Sequence, residues 1–341
     1  MKNNRLLFFT TLLSLCLVGC NTGNNSSSQQ PEPEEGPAVF ILAGQSNMNG
    51  QTAHSNLQNV LTDLGISDAE ALFEGVPEVR TSYFGVGYGE IYGSGIYASN
   101  KVDPLAGKYE NTKVGMGSNA NNMGPEVGLA YKLRDYGTED KPIYFIKMGI
   151  SGSGFDQGEP TKGANGRNAV VNWRLDQDPS LYNDFLKPYV ENCLELIKEE
   201  TEMNPVIKGF VWHQGESDTA TAKIQAYAER FNALVDQLRT DFGEYATDQD
   251  PERIAVIDAL IYDGDDTAWG KETSQQLNQV KIDNAAIREN YYCVNTSMKR
   301  EGGAKLSIGS PGGDRMHYST EGSFKLGMLY GDAIIENSLL D

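Results

Sequence analysis

Ala38-Val39-Phe40-Ile41-Leu42-Ala43-Gly44-Gln45-Ser46-Asn47-Met48 opens the folded part of the chain. Its first half is a continuous apolar run of strand length, the pattern of a strand buried on both faces of a parallel sheet. The run breaks at Gly44 into three polar residues, which predicts a tight turn that lifts Ser46 off the end of the strand. Near the other end, Asp314-Arg315-Met316-His317 places a carboxylate and an imidazole three residues apart. A hydroxyl becomes a nucleophile when a neighbouring base takes its proton, and an imidazole does this best when a carboxylate fixes its tautomer. The two segments together hold all three parts.

Further strands are read at Ile143–Met148, Ile207–Trp212, Ile254–Leu260 and Tyr292–Asn295. Helical patterns lie between them. One opens at Pro125-Glu126, and another covers Leu181 to about Glu200. A third starts at Thr219, with Ile224, Tyr227, Ala228, Phe231, Leu234, Val235 and Leu238 on one face and Asp218 placed to cap it. Two more cover Thr273–Arg288 and Thr320–Asn337. The alternation predicts an α/β fold, a doubly wound, flavodoxin-like three-layer sandwich with a parallel sheet of about five strands. Ligands of such sheets bind beyond the carboxyl ends of the strands. Ser46, Ser151-Gly152-Ser153-Gly154 and His213-Gln214-Gly215-Glu216-Ser217-Asp218 each follow a strand and share that end. Two stretches interrupt the alternation. Residues 50–122 are rich in Gly, Asn and Tyr and read as a long insertion, and 155–180 is a second long connection containing Trp173.

Ser46 is not in a Gly-x-Ser-x-Gly elbow, because Met48 stands where the second glycine would be, which argues against the α/β-hydrolase fold. Acyl transfer also needs donors aimed at the developing oxyanion. The Ser46 and Gly152 backbone N–H groups and the Gln214 side-chain amide are the candidates. Gln45, Asn47, His213 and Glu216 read as supporting residues, with Glu216 bracing its loop. The chain has 3 histidines, without metal-ligand spacing, so neither a catalytic metal nor another cofactor is expected.

The first residues are not fold. Lys2 and Arg5 precede an apolar stretch, Leu6 to Val18, too short to span a bilayer. It ends in Leu17-Val18-Gly19-Cys20, which resembles a bacterial lipobox. That reading makes 1–19 a lipoprotein signal peptide, Cys20 a lipidated N-terminus and 20–37 a flexible tether. The alternative is an ordinary signal peptide cut nearby. By resemblance to lipoprotein sorting, Asn21 after the cysteine favours an exported protein anchored at the outer membrane over inner-membrane retention. Residues 38–341 then form one domain, of a size that buries a substantial core. Without Lys2 and Arg5 the balance is 26 basic against 47 acidic residues, net −21. Such a surface repels nucleic acid and anionic lipid and suits a neutral substrate. Cys193 and Cys293 read either as a disulfide or as two buried thiols.

Gly44-Gln45-Ser46-Asn47-Met48, Gly124-Pro125-Glu126, Trp212-His213-Gln214-Gly215-Glu216-Ser217-Asp218 and Asp314-x-x-His317 together resemble the SGNH hydrolase superfamily. More narrowly they resemble its sialate O-acetylesterase-like branch, which includes carbohydrate esterase family six. The resemblance runs in order from about residue 38 to 335. It implies removal of O-acetyl groups from a carbohydrate, either an acetylated polysaccharide or sialic acid. Ser46 is then the nucleophile, His317 the base and Asp314 its partner, and Gln214 stands where other members place an oxyanion-hole Asn. Ser151-Gly152-Ser153 departs from the usual Gly-Gly-Ser/Thr. Tyr88, Tyr92 and Trp173 are candidate sugar-stacking residues. Two rival readings are a glycan-binding surface lipoprotein that no longer turns over, and a GDSL-type esterase or lipase on other esters.

Overall fold

A computed structural model describes residues 35–84, 104–155, 172–178, 180–309 and 314–341, all in the compact unit Glu35–Asp341. The predicted signal and anchor segment with Cys20, the expected tether up to residue 34, and Tyr88 and Tyr92 lie outside the described residues.

The strands are β1 Ala38–Gly44, β2 Thr52–Ala53, β3 Val76–Tyr83, β4 Tyr109–Thr112, β5 Asn122–Met123, β6 Ile143–Gly149, β7 Val206–His213, β8 Ala255–Ala259 and β9 Tyr291–Val294. Seven of them form one sheet in the order β4-β3-β6-β1-β7-β8-β9, while β2 and β5 pair separately. Only β4 runs antiparallel in the large sheet. The five strands expected from the sequence are β6-β1-β7-β8-β9, the 2-1-3-4-5 order of a flavodoxin-like sheet. The expectation of about five strands is therefore two short. β3 and β4 come from within the 50–122 stretch and extend the sheet beyond β6.

The main helices are α1 Ser46–Asn49, α2 Leu57–Asp63, α3 Ala71–Glu74, α4 Glu126–Leu133, α5 Lys187–Thr201, α6 Thr221–Phe242, α7 Lys271–Ile287 and α8 Thr320–Glu336. They cover both faces of the sheet. Val39, Ile41 and Ala43 of β1 face a core shared with α5 and α6. Phe40 and Leu42 face the opposite core, shared with α2, α4 and α8. This alternation is why β1 reads as apolar throughout: both of its faces are covered.

Two local expectations are corrected, and the cysteine alternative resolves to free thiols. Asp218 does not cap α6, whose N-cap is Ala220 with no side-chain bond. The Asp218 carboxylate instead accepts the Phe155 N–H at 3.0 and 3.2 Å. Trp173 offers no face to a sugar: it is fully buried, edge-on to Trp212, and its indole N–H donates to Ser153 Oγ at 2.8 Å. Cys193 and Cys293 are free thiols. Cys193 lies against Ser82 of β3, and Cys293 is in β9. Five strand spacings, about 24 Å, separate those two strands, far beyond disulfide reach. Burial pushes the Cys193 thiol up to about 11 and the Cys293 thiol up to about 12.

Candidate active site

The sheet switches direction at β1, with β6 on one side and β7 on the other. The loops after these three strands meet at their carboxyl ends. Ser46 begins the one-turn helix α1 directly after β1. The turn depends on Gly44, whose φ of +148° disfavours side chains and where a Cβ would sit 2.0 Å from the His213 carbonyl oxygen. The Gln45 N–H donates to that same carbonyl at 2.9 Å. Gln45 Oε1 accepts from the Ser217 N–H at 3.2 Å and the Gly215 N–H at 3.4 Å. The nucleophile turn is thus stapled to the loop after β7.

Asn47 ties it to the second segment. Its Nδ2 donates to Glu216 Oε1 at 2.7 Å and to the Met316 carbonyl at 3.4 Å. Its Oδ1 accepts the Tyr318 N–H at 3.1 Å. Acceptors face the nitrogen and a donor faces the oxygen, so the amide orientation is fixed by its partners. Residues 316 and 318 flank His317, and residue 47 adjoins Ser46. One buried side chain therefore holds the serine and the histidine segments together across almost the whole chain.

His317 Nδ1 lies 2.5 Å from Asp314 Oδ2. Partial burial raises the Asp314 carboxyl, but the hydrogen bonds from His317 and from the Met316 N–H at 2.7 Å outweigh it and hold it below its ordinary value. A carboxylate on Nδ1 leaves Nε2 as the working nitrogen. Among the described residues Ser46 Oγ and His317 Nε2 make no hydrogen bond to each other. Such bonds are often long in an unliganded enzyme and tighten with substrate.

Behind these groups, His213 and Glu216 are both buried, with His213 Nε2 3.5 Å from Glu216 Oε1. His213 Nδ1 lies 3.2 Å from the Tyr330 hydroxyl. Burial raises the Glu216 carboxyl, but His213 and then the Asn47 amide outweigh it and hold it below its ordinary value. A buried ion pair, Lys147–Glu126 at 2.6 Å, lies beside α1. Lys147 also donates to the Met116 carbonyl at 2.8 Å, and Glu126 Oε1 accepts the Gly124 N–H at 2.9 Å. This gives Gly124-Pro125-Glu126 its role: it closes a buried charge network. Lys147 was hidden by its position in an apolar strand; the signal was that a lysine there needs an anionic partner.

Residues 98–336, more than half of the chain, match the family described as carbohydrate esterase, sialic acid-specific acetylesterase. The chain belongs to this carbohydrate esterase family. The matched stretch takes in Gly152, Gln214, Asp314 and His317 and begins downstream of Ser46. No curated protein matches the chain in sequence. Among solved structures it is similar to NanS, at 16% identity and TM-score 0.56, over 89% of this chain and 99% of that one. A protein of Arabidopsis thaliana gives 16% identity and TM-score 0.55, again over 89% and 99% of the two chains. The carbohydrate acetylesterase XAC1771 of Xanthomonas citri gives 16% and 0.50, over 89% of this chain and 57% of that one. These likenesses agree with the α/β three-layer fold.

Among the described residues the two main-chain oxyanion candidates of this esterase keep their N–H groups unpaired. Ser46 is the first residue of α1, so its N–H has no intrahelical acceptor. Gly152 is exposed at φ +73°, in the turn closed by the Ser153 N–H to Ile150 carbonyl bond at 3.2 Å, and its own N–H has no partner among the described residues. Gln214 departs from expectation. Its Nε2 is fully buried and committed to Asp218 Oδ2 at 2.7 Å and to Gln45 Oε1 and the Ser153 carbonyl at 3.3 Å each. With its N–H groups spent, Gln214 is a brace between the three loops and not a free oxyanion donor.

Proposed function

We propose that this esterase removes O-acetyl groups from a carbohydrate through an acetyl-enzyme on Ser46. The observation that carries the reading is the Asn47 clamp, which joins the turn bearing Ser46 to both residues flanking an Asp314-oriented His317. Ser46 Oγ attacks the acetyl carbonyl carbon as its proton passes to His317 Nε2. The Ser46 and Gly152 N–H groups hold the tetrahedral oxyanion. The intermediate collapses with cleavage of the bond to the sugar oxygen, which takes the proton from His317 and leaves as a hydroxyl. A water then loses its proton to His317, attacks the acetyl group, and acetate departs as Ser46 regains its proton. Leu17-Val18-Gly19-Cys20 supports export with a lipid anchor on Cys20, probed by palmitate labelling of the wild type and its loss in Cys20→Ala.

The acyl-enzyme is tested with a serine-reactive fluorophosphonate. One adduct on the peptide carrying Ser46, blocked by an acetylated sugar, is the expected result. Labelling elsewhere, or none in folded protein, would remove Ser46 from the nucleophile's role.

A further inference from the structure

Asn49 and Gln51 flank Gly50 just after the turn that bears Ser46, and both side chains reach across to the loop after β6. The two loops are in close contact: a Cβ on Gly149 would sit 2.2 Å from the Asn49 backbone nitrogen. Gln51 Nε2 donates to Ser151 Oγ at 2.8 Å, and Asn49 Nδ2 approaches the same oxygen at 3.4 Å. Gln51 is itself held from behind. Its Oε1 accepts the Ser118 hydroxyl at 3.1 Å, and Ser118 Oγ accepts from Asn122 Nδ2 at 2.8 Å. The Ser118 N–H donates to the Gly50 carbonyl at 2.9 Å. Each donor in this series faces an acceptor, so the Gln51 amide has one orientation, and hydrogen bonds in series strengthen one another. Ser118 and Asn122 belong to the 50–122 stretch, which here reaches the reacting end of the sheet.

Ser151 immediately precedes Gly152. The Ser151–Gly152 peptide is the middle peptide of the turn Ile150–Ser153, whose third residue has φ +73°, the conformation of a type II turn. A middle peptide makes no bond inside its turn. This leaves the Gly152 N–H available, and makes its position depend on what holds the turn from outside. Among the described residues, the Gln51 and Asn49 amides are the only partners of the Ser151 side chain. A glycine at 151, as in the usual Gly-Gly-Ser/Thr, would offer no such handle. Asn49 in turn stands three residues from Ser46 on the single turn of α1, so the two share a face. The two main-chain donors of the oxyanion hole lie on different loops, after β1 and after β6, and must converge on one oxygen atom. Ser151 Oγ is gripped by the first loop and belongs to the second.

We propose that Ser151 and Gln51 are positioning residues for the oxyanion hole: the amide clasp on Ser151 Oγ fixes the Gly152 N–H relative to the Ser46 N–H. This rests on the acetyl-enzyme reading, in which those two N–H groups hold the tetrahedral oxyanion. Asn47 aligns the base with the nucleophile, and the clasp aligns the second oxyanion donor with it. Both Ser151 and Gln51 act through Gly152.

The test compares an aryl acetate with the matching aryl thionoacetate, in which sulfur replaces the carbonyl oxygen. Sulfur accepts hydrogen bonds weakly, so a well-placed oxyanion hole favours the oxygen ester. The ratio of kcat/KM, oxygen over sulfur, reads donor placement within each protein and cancels general damage to the site. In Ser151→Ala and Gln51→Ala, kcat on the acetate should fall roughly 10- to 100-fold, short of or equal to the loss of one oxyanion donor, with KM within about twofold. The ratio should fall by a similar factor. The double variant should be no worse than Ser151→Ala alone, because the two side chains act through one bond. Ser151→Thr keeps the hydroxyl oxygen and should retain the wild-type ratio. Asn47→Ala, which displaces the base, should slow both esters alike and leave the ratio in place. Turnover that survives Ser46→Ala would defeat the acetyl-enzyme reading. With that reading intact, a ratio unmoved in Ser151→Ala, equal losses on both esters, additive effects of the two substitutions, or Ser151→Thr as impaired as Ser151→Ala would overturn the clasp.

Discussion

Truncating Asn47 to alanine should damage stability and turnover together. The side chain is 5% exposed and makes three hydrogen bonds. The bond to Glu216, at 2.7 Å, is charge-assisted and contributes about 1.5–3 kcal/mol. The bond from the Tyr318 N–H, at 3.1 Å, contributes about 1 kcal/mol. The bond to the Met316 carbonyl, at 3.4 Å, is too long to add much. Removal leaves Glu216 Oε1 facing only His213 and leaves a buried N–H at Tyr318 without an acceptor. The loss is about 2–4 kcal/mol, which for a domain of this size lowers Tm by roughly 5–12 °C. The residues flanking His317 are also released, and a displacement of about 1 Å between base and nucleophile costs on the order of 10²-fold in rate. Thermal denaturation and steady-state kinetics on an aryl acetate measure both, with kcat falling and KM nearly constant. Asn47→Asp separates the causes. It keeps the acceptor for Tyr318 but sets a second carboxylate against Glu216, so its deficit should shrink as pH is lowered. Asn47→Ala with Tm within about 1 °C and kcat within about twofold of wild type would refute the clamp.

Other consequences follow from the buried charges. Lys147→Ala leaves Glu126 as an uncompensated buried carboxylate and should destabilise the fold by about 3–5 kcal/mol, whereas Lys147→Ala with Glu126→Gln should recover much of that loss in denaturant titrations. Glu216 is held below its ordinary value of 4.5 in the folded protein. The unfolded chain therefore binds its proton first on acidification, so the stability it contributes is complete above about pH 4.5 and is lost as pH falls through the folded value. The Tm gap between wild type and Glu216→Gln should accordingly be widest at neutral pH and close towards pH 3; a gap independent of pH would contradict the assignment.

The five-stranded core was legible because parallel strands covered on both faces carry almost no polar residues, and the fold class follows from five such runs alternating with helices. Val76–Tyr83 was not legible. It contains Glu78, Arg80, Thr81 and Ser82, and the two hydroxyl residues are buried only because Thr112 Oγ1 and the Tyr189 hydroxyl, distant in sequence, meet them at 2.7 Å each. That Ser46, Asp314, His317 and Gly152 share one end of the sheet was readable from position, since each follows a strand or precedes the last helix. Asp218 was misread because an acid before a helix usually caps it, whereas here Phe155 and Gln214 claim its oxygens. Trp173 was misread because an aromatic residue in a long connection gives no sign of whether the chain folds back under the sheet.

The central claim is tested most directly by acetate release from an aryl acetate and from an acetylated sugar, with the wild-type domain beside Ser46→Ala. Turnover by wild type that falls on the order of 10⁶-fold in Ser46→Ala, with an unchanged melting curve, is the predicted result for a triad nucleophile. Equal turnover in both proteins, or none in folded wild type, would contradict it.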